Sequence, residues 1–428
     1  MQDIKNLSQT QLENWLIDHD FKKYNATQIV NWLYDKKAMS FEEMSNISNA
    51  LRQTLKKNFS HEIPSSQEVQ NSHDGSKKFL FTLADGSLIE SVLVYHSHRQ
   101  SAGTLEHRRG DESQRQSDGT LEPYASLMLQ GSLTSGQGHR HLHGAQVRLE
   151  RLRRVARCDG PKRLTLCVSS QVGCAIGCTF CHTAQMKLKR HLLPSEILGQ
   201  VLSGQGRLEA HQKLTNVVFM GMGEPFHNFD NVMMAVDHLV DPNGFALAQR
   251  RITVSTSGFV PGILKFARRS KVKLAVSLNA TTNDLRDQIM PINRKYPLEE
   301  LLAACRQYSQ ESRKRVTFEY VLLGGINDTM EDARRLVKLL SGLPCKINLI
   351  PYNEFPGSPY QRPTEEGIEA ISRYLAGKDL QINIRWSKGR DIGGACGQLA
   401  ARRQLIPRDV ITTGGPFFAP DQSIRGFE

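Results

Sequence analysis

The sequence predicts an α/β protein: an incomplete (β/α) barrel preceded by an N-terminal helical unit and a small β element. Three observations predict it. From Leu164 onward, short β-rich runs alternate with amphipathic ones; before Pro64, apolar residues recur at helical spacing; and between them a pair of alternating runs flanks Asp85-Gly86. The chain has 428 residues, enough for one large catalytic domain with appendages.

The helical unit spans 1–64. Leu12, Trp15 and Leu16, then Ile29, Trp32 and Leu33, then Met44, Ile47, Leu51 and Leu55 predict three short amphipathic helices over 8–60, their stripes forming a core. The β element spans 65–97. Phe79, Phe81 and Leu83 alternate, Asp85-Gly86 supplies a turn, and Ile89 to Val94 returns as a partner strand.

Residues 98–163 break with their surroundings. They are rich in Gly, Ser, Gln, Arg and His, and RQSAGTLE (99–106) recurs as RQSDGTLE (115–122). The segment reads as a low-complexity basic insertion, a solvated and disordered loop. Its run RLERLRRVAR (148–157) is a candidate basic helix without aromatic residues to stack on bases. His139, His141 and His143 lack a carboxylate or cysteine at ligand spacing.

The barrel is assigned to 164–400. Its strands are LTLCV, NVVFMG, RITVSTSG, KLAVSLN, TFEYVLL, KINLIPY and QINIR, with helical runs at 194–203, 228–240, 261–269, 282–289, 330–340 and 365–375. Repeated strand–helix units imply parallel strands joined by right-handed crossovers, which place an active site at the C-terminal strand ends. Residues 401–428 form a tail.

Lys and Arg total 55 against 43 acids, a net charge of +12 that favours a polyanionic partner. No charged-then-apolar leader and no run of about 18 apolar residues is present, so the expectation is a cytoplasmic protein without membrane segments.

Of eight cysteines, Cys158 among them, Cys167, Cys174, Cys178 and Cys181 crowd into fifteen residues, whereas Cys305 and Cys345 sit in apolar surroundings and read as core. Cys174-x3-Cys178-x2-Cys181 supplies three thiolates from one loop after the first barrel strand. A structural zinc site wants four ligands; a [4Fe–4S] cluster held by three keeps one iron open for a second molecule. The competing reading is a zinc site completed by Cys167 or His182. Gly221-Met222-Gly223-Glu224-Pro225 follows at the next strand end.

The cysteine spacing resembles the cluster loop of the radical S-adenosylmethionine superfamily. TQIVNWLYDKK, LIESVLV, LTLCVSSQVGCAIGCTFC, GMGEP, RRITVSTSGFVPGI, FEYVLLGGIND, KINLIPYNEFPGSPYQRP and GRDIGGACGQLA narrow the resemblance to the RNA adenine methyltransferases that act at C2 of adenine, with a resistance-type sibling acting at C8. The resemblance implies a [4Fe–4S] cluster on Cys174, Cys178 and Cys181, and S-adenosyl-L-methionine bound by Gly223, Glu224, Ser255, Ser277, Leu278, Asn279 and Asn353.

It further implies that Cys396 carries a methyl group from a first S-adenosylmethionine. Hydrogen abstraction then gives a carbon radical that adds to adenine, Glu90 accepts the ring proton, and Cys167 releases the product by a transient disulfide with Cys396. The implied partners are 23S rRNA near the peptidyl-transferase centre, tRNA at the adenine following the anticodon, and an electron donor such as flavodoxin or ferredoxin. Two other readings are C8 methylation and a catalytically inactive RNA-binding relative.

Four positions depart from the family pattern. Asn279 stands where His is usual; His182 replaces a small residue; Lys187 stands in a place usually held by glycine; and Arg390 replaces a frequent Asp, ahead of Gly393-Gly394.

Overall fold

The computed structural model describes residues 1–64, 66–96, 163–270 and 272–400. The body of the insertion, with Cys158, the three-histidine tract and the run 148–157, lies outside the described residues, as does the tail 401–428.

Three helices open the chain: α1 (Gln9–Asp18), α2 (Asn25–Tyr34) and α3 (Asn49–Asn58). Ser8 starts α1 through a capping box with Gln11, and the Ser48 hydroxyl accepts from the Leu51 N–H to start α3. Leu12, Leu16, Ile29, Val30, Leu33, Leu51 and Leu55 bury their stripes as expected. Met44 and Ile47 are buried too, yet they precede α3 in a 3₁₀ turn and loop, because Ser48 sets the helix start after them.

One ten-stranded sheet forms the rest. Strands β1 (Ser66–Asn71), β2 (Lys77–Thr82) and β3 (Leu88–His96) are antiparallel. Strands β4 (Arg163–Cys167), β5 (Asn216–Phe219), β6 (Ile252–Thr256), β7 (Lys273–Ser277), β8 (Val316–Leu322), β9 (Cys345–Pro351) and β10 (Ile382–Ile384) run parallel in sequence order. This is the open (β/α) barrel the alternating pattern predicts. The expected small β element is part of the same sheet: Val92 of β3 pairs with Cys167 of β4, and His96 with Arg163. Arg163, read from sequence as the last residue of the insertion, is thus the first of β4.

Helices α4 (Pro194–Gly206), α5 (Phe229–Val240), α6 (Val260–Arg269), α7 (Asn283–Ile289), α8 (Leu298–Ser312), α9 (Met330–Leu340) and α10 (Glu365–Ala376) cover the outer face. Helix α8 was not anticipated, although Leu298, Leu301, Leu302, Cys305 and Tyr308 fall at helical spacing and are all buried. Cys305 and Cys345 are buried core residues, as predicted. Among the described residues no helix is long and apolar enough to cross a membrane.

Lys187, between the cysteine loop and α4, has φ 49° and ψ 159°, a region other residues leave to glycine. Gly173 presses on the same turn: a Cβ there would lie 1.7 Å from the Lys187 carbonyl oxygen. The glycine-like backbone is therefore retained although its usual residue is gone. Lys187→Gly is expected to raise stability by roughly 1 kcal/mol or more, read as an upward shift in the thermal midpoint.

Candidate active site

The loop leaving β4 is fastened before it reaches the cysteines. Ser169 Oγ donates to the Glu90 carbonyl (2.5 Å) and accepts from the Met222 N–H (2.9 Å), and Gln171 Oε1 accepts from the Glu224 N–H (2.7 Å). These bonds clamp the loop to the Gly221–Pro225 turn. They also explain its glycines: a Cβ on Gly221 would be 2.8 Å from Ser169 N, and one on Gly223, at φ +100°, 2.5 Å from Gln171 Cβ. The glycine requirement comes from this loop-on-loop packing beneath the cavity.

Cys174, Cys178 and Cys181 line one cavity of about 940 Å³ at the C-terminal strand ends. Phe180 packs with Ile289, Met290, Tyr352 and Phe355 behind Cys178 and Cys181. Burial pushes the Cys174 thiol up to about 12 and raises Cys178 and Cys181 as well, so without a cationic core all three stay protonated. Neither Cys167 nor His182, the candidate fourth ligands of a zinc site, lines this cavity. No group of three or more His, Cys, Asp or Glu side chains among the described residues is gathered to hold a single metal ion. Three thiols spread round a chamber fit a [4Fe–4S] cluster with one open iron.

Gly223, Glu224, Ser255, Ser277, Asn279 and Asn353 line the same chamber. Leu278 does not: its side chain is core, and its carbonyl accepts from Arg286. Glu224 is 2% exposed and ties two strand ends together, Oε1 accepting from the Phe226 N–H (3.0 Å) and Oε2 from the N–H and hydroxyl of Ser257 (both 2.7 Å). A carboxylate accepts about four hydrogen bonds, so one lone pair remains for a cofactor amino group. The Asn353 amide donates to Ser387 Oγ (2.8 Å) and the Cys396 carbonyl (3.2 Å), while its buried Oδ1 has no partner. An unsatisfied acceptor on the chamber wall fits a bound polar ligand such as S-adenosylmethionine.

Cys396 lies between two cavities. It lines the cluster chamber and also a second cavity, walled by Cys167, Thr165, Val92, Arg385, Trp386 and Lys388, while Glu319, Met220 and Ile350 line both. Cys396 is accessible, yet the surrounding protein raises its thiol through desolvation and the Glu319 carboxylate, against the opposing Arg385. Burial, with Cys396 nearby, raises Cys167 further. All seven described cysteines are free, so the transient disulfide implied for Cys167 and Cys396 is not formed in this structure.

Glu90 lines neither cavity. It is 4% exposed, its Oε1 is 3.3 Å from Lys78 Nζ, and its Oε2 accepts from the Ala400 N–H (3.0 Å). These contacts set it beneath the C-terminal segment that follows Cys396.

The departures from the family pattern are accommodated. His182 stacks on Phe355 (4.6 Å between ring centres, 5° between planes), and its N–H donates to the Gly397 carbonyl (2.8 Å), joining the cluster loop to the Cys396 loop. Thr183 Oγ1 adds a bond to the Leu399 carbonyl (2.5 Å). Asn279 adopts φ 56°, which asparagine tolerates, and its Oδ1 accepts from the Val321 N–H (2.8 Å). Arg390 is exposed, and the glycines beyond it do not leave the segment loose. Asp391 accepts from Ser72 Oγ (2.6 Å) and the His73 N–H (3.1 Å), and Asp74 accepts from the Gly389 N–H (2.7 Å).

Sequence reasoning missed Arg286. Fully buried in α7, it donates to the carbonyls of Ser257 (2.8 Å), Ser277 (3.0 Å) and Leu278 (3.0 Å) and to Asn293 Oδ1 (3.1 Å). An arginine in a helical run resembles any solvated residue, and only the folded chain shows the carbonyls converging on it.

Two family models match the chain: the Radical SAM superfamily over residues 168–339, and the ribosomal RNA large subunit methyltransferase N-terminal domain over 2–60. The chain is 41% identical over 403 residues to the dual-specificity RNA methyltransferase RlmN of Pelobacter propionicus, covering 94% of this chain and 96% of that one. It is 39% identical over 407 residues to its counterpart in Geotalea uraniireducens, covering 95% and 99%. A crystal structure of a radical SAM methyltransferase from Sphaerobacter thermophilus superposes with a TM-score of 0.75 at 36% identity, covering 94% of this chain and all of that one.

Removing Arg286 leaves several buried carbonyls unsatisfied at about 1–3 kcal/mol each. Arg286→Met is expected to lower the urea midpoint substantially and to weaken S-adenosylmethionine binding by calorimetry. A variant of wild-type stability would contradict the role.

Proposed function

The chain belongs to the RlmN family of radical S-adenosylmethionine RNA methyltransferases, and we propose that within it the chain methylates C2 of adenine in 23S rRNA and in tRNA through a methylated Cys396. The observation that carries this reading is the position of Cys396, shared between the chamber of the three cluster cysteines and the cavity of Cys167. A methyl carrier must meet a cofactor on one side and a base on the other.

Cys174, Cys178 and Cys181 hold the [4Fe–4S] cluster. Glu224 takes the cofactor amino group, Ser255, Ser277 and Asn279 its polar edge, and the open Oδ1 of Asn353 a donor. Bound together, cluster and S-adenosylmethionine supply a carbon-centred radical able to remove a hydrogen atom. That chemistry suits the substrate, because C2 of adenine is electron-poor and does not attack a sulfonium methyl.

The residues of the chain do the remaining work. As a thiolate, Cys396 takes the methyl group from a first S-adenosylmethionine. Arg385, which favours the anionic form of Cys396, opposes the burial and the Glu319 charge that raise it. Glu90 accepts the C2 proton once the segment carrying Ala400 has moved off its Oε2. Cys167 then attacks the sulfur of Cys396, its proton passing to solvent, and a disulfide forms as the bond from that sulfur to the methyl carbon breaks and the methylated base departs; the two electrons given up by the thiols balance the reduction of the second S-adenosylmethionine to methionine and deoxyadenosine. A reductant such as flavodoxin or ferredoxin supplies electrons, and the setting is the cytoplasm.

Cys396→Ala, reconstituted anaerobically and given RNA, is expected to lose both protein methylation and RNA product while its iron content is unchanged. Mass spectrometry of nucleosides from the wild-type reaction is expected to place the methyl at C2. A product confined to C8 would assign the resistance-type reaction, and an absence of deoxyadenosine formation would leave an inactive RNA-binding relative.

A further inference from the structure

The end of the barrel opposite the cluster carries an accumulation of positive charge that the chemistry above does not use. Side chains alternate along each strand, so residues four positions apart share a face. Counting back four residues from Cys167, Ser255, Ser277, Glu319 and Ile350, all on cavity walls, gives Arg163, Arg251, Lys273, Arg315 and Lys346. All five steps end on a cation: Arg163, Lys273 and Lys346 lie on β4, β7 and β9 and, at about 3.3 Å per residue, sit roughly 13 Å below the cofactor layer, while Arg251 and Arg315 immediately precede β6 and β8.

A cavity of about 1200 Å³ opens at this end, lined by Arg250, Lys273, Lys314, Arg315 and Lys346, with no carboxylate in its wall. Arg163, Arg250, Lys273 and Lys346 form no ion pair with any described residue. Lys273 and Lys346 are half-buried. Their ammonium groups are lowered first by desolvation and then by neighbouring cations: Lys346, Arg163, Arg251 and Arg250 act on Lys273, and Arg385 and Arg163 on Lys346, with Glu319 the one carboxylate opposing them there. Folding has gathered like charges without counter-ions, at a cost that a bound polyanion would remove.

Arg385 connects this end to the second cavity, whose wall also holds Lys388 and Trp386. Trp386 is 39% exposed, with the Arg362 guanidinium 5.7 Å from its ring centre. A small anion would need only the cations. An exposed indole on the wall of the cavity that holds the two thiols, together with these cations, matches a ligand that carries both phosphates and bases.

We propose that the N-terminal end of the barrel is an RNA phosphate-binding surface, holding the substrate backbone on Arg250, Lys273 and Lys346 while the target base reaches the Cys167–Cys396 cavity past Trp386. The proposal rests on the RNA methyltransferase reading for its ligand. It assigns the RNA a side: it approaches from the end away from the cluster.

The test is fluorescence anisotropy with an adenine-bearing RNA stem–loop at several salt concentrations. The double variant Lys273→Gln, Lys346→Gln should bind roughly tenfold more weakly, and its log–log salt slope should fall by about one unit per lost cation. Trp386→Ala should weaken binding roughly fivefold or more with the salt slope unchanged, since stacking releases no counter-ions. Iron content should stay at the wild-type level, and the thermal midpoint of the double variant should not fall, because repulsion has been removed. Unchanged RNA affinity and salt slope in the double variant would overturn the proposal, as would loss of inorganic phosphate binding with RNA binding intact. A wild-type chain that binds the RNA with these dependences and methylates nothing would defeat the enzymatic reading while supporting the surface.

Discussion

The floor of the cofactor chamber depends on one buried cation. The guanidinium of Arg286 collects carbonyls from the ends of β6 and β7, where the chain must turn outward and the sheet ladder no longer satisfies its oxygens. An arginine suits this place better than a lysine: its planar fork reaches several acceptors at fixed angles, and it stays charged when desolvation presses against ionisation. Burial lowers it only to about 10. Glu224 complements it from the other side, taking the N–H groups of Phe226 and Ser257. The strand ends that present Ser255 and Ser277 are thus held by one cation for the oxygens and one carboxylate for the nitrogens.

A second constraint acts on Cys396. Its loop is tied to the cluster loop through His182 and Thr183, to Asn353 through its own carbonyl, to Glu90 through Ala400, and to the β1–β2 turn through Asp391 and Asp74. Each tie is a hydrogen bond from a different part of the fold. In the proposed reaction Cys396 meets first a cofactor and then a base, and these ties give its thiol a fixed resting place. There the Ala400–Glu90 bond would link release of the segment to freeing of the Glu90 carboxylate.

Local pattern made much of the molecule legible. Alternating strands and helical stripes are set by burial period, so the open barrel and nearly all its helices could be read directly, and the three cysteines announce themselves by spacing. Three kinds of feature could not be read. Helix α8 carries its stripe in plain view behind Pro297, but it is a second helix between β7 and β8, for which a one-strand–one-helix alternation leaves no place. Arg286 and Gln171 act by reaching atoms far away in sequence, which no local signal reports. The basic cluster is a register effect: its members lie on three strands and just ahead of two others, and they come together only once the sheet has formed. The position of Glu90 is the converse case, where local sequence marked a residue whose surroundings only the fold could supply.

The pairing of His96 with Arg163 bears on how such a chain tolerates its insertion. His96 and Arg163 face each other on adjacent antiparallel strands, whose Cα atoms stand about 5 Å apart. That is the geometry of a hairpin end, where any length of polypeptide can be spliced without shifting the register on either side. The register of β3 and β4 is therefore set by their own pairing and does not depend on the length of chain between His96 and Arg163.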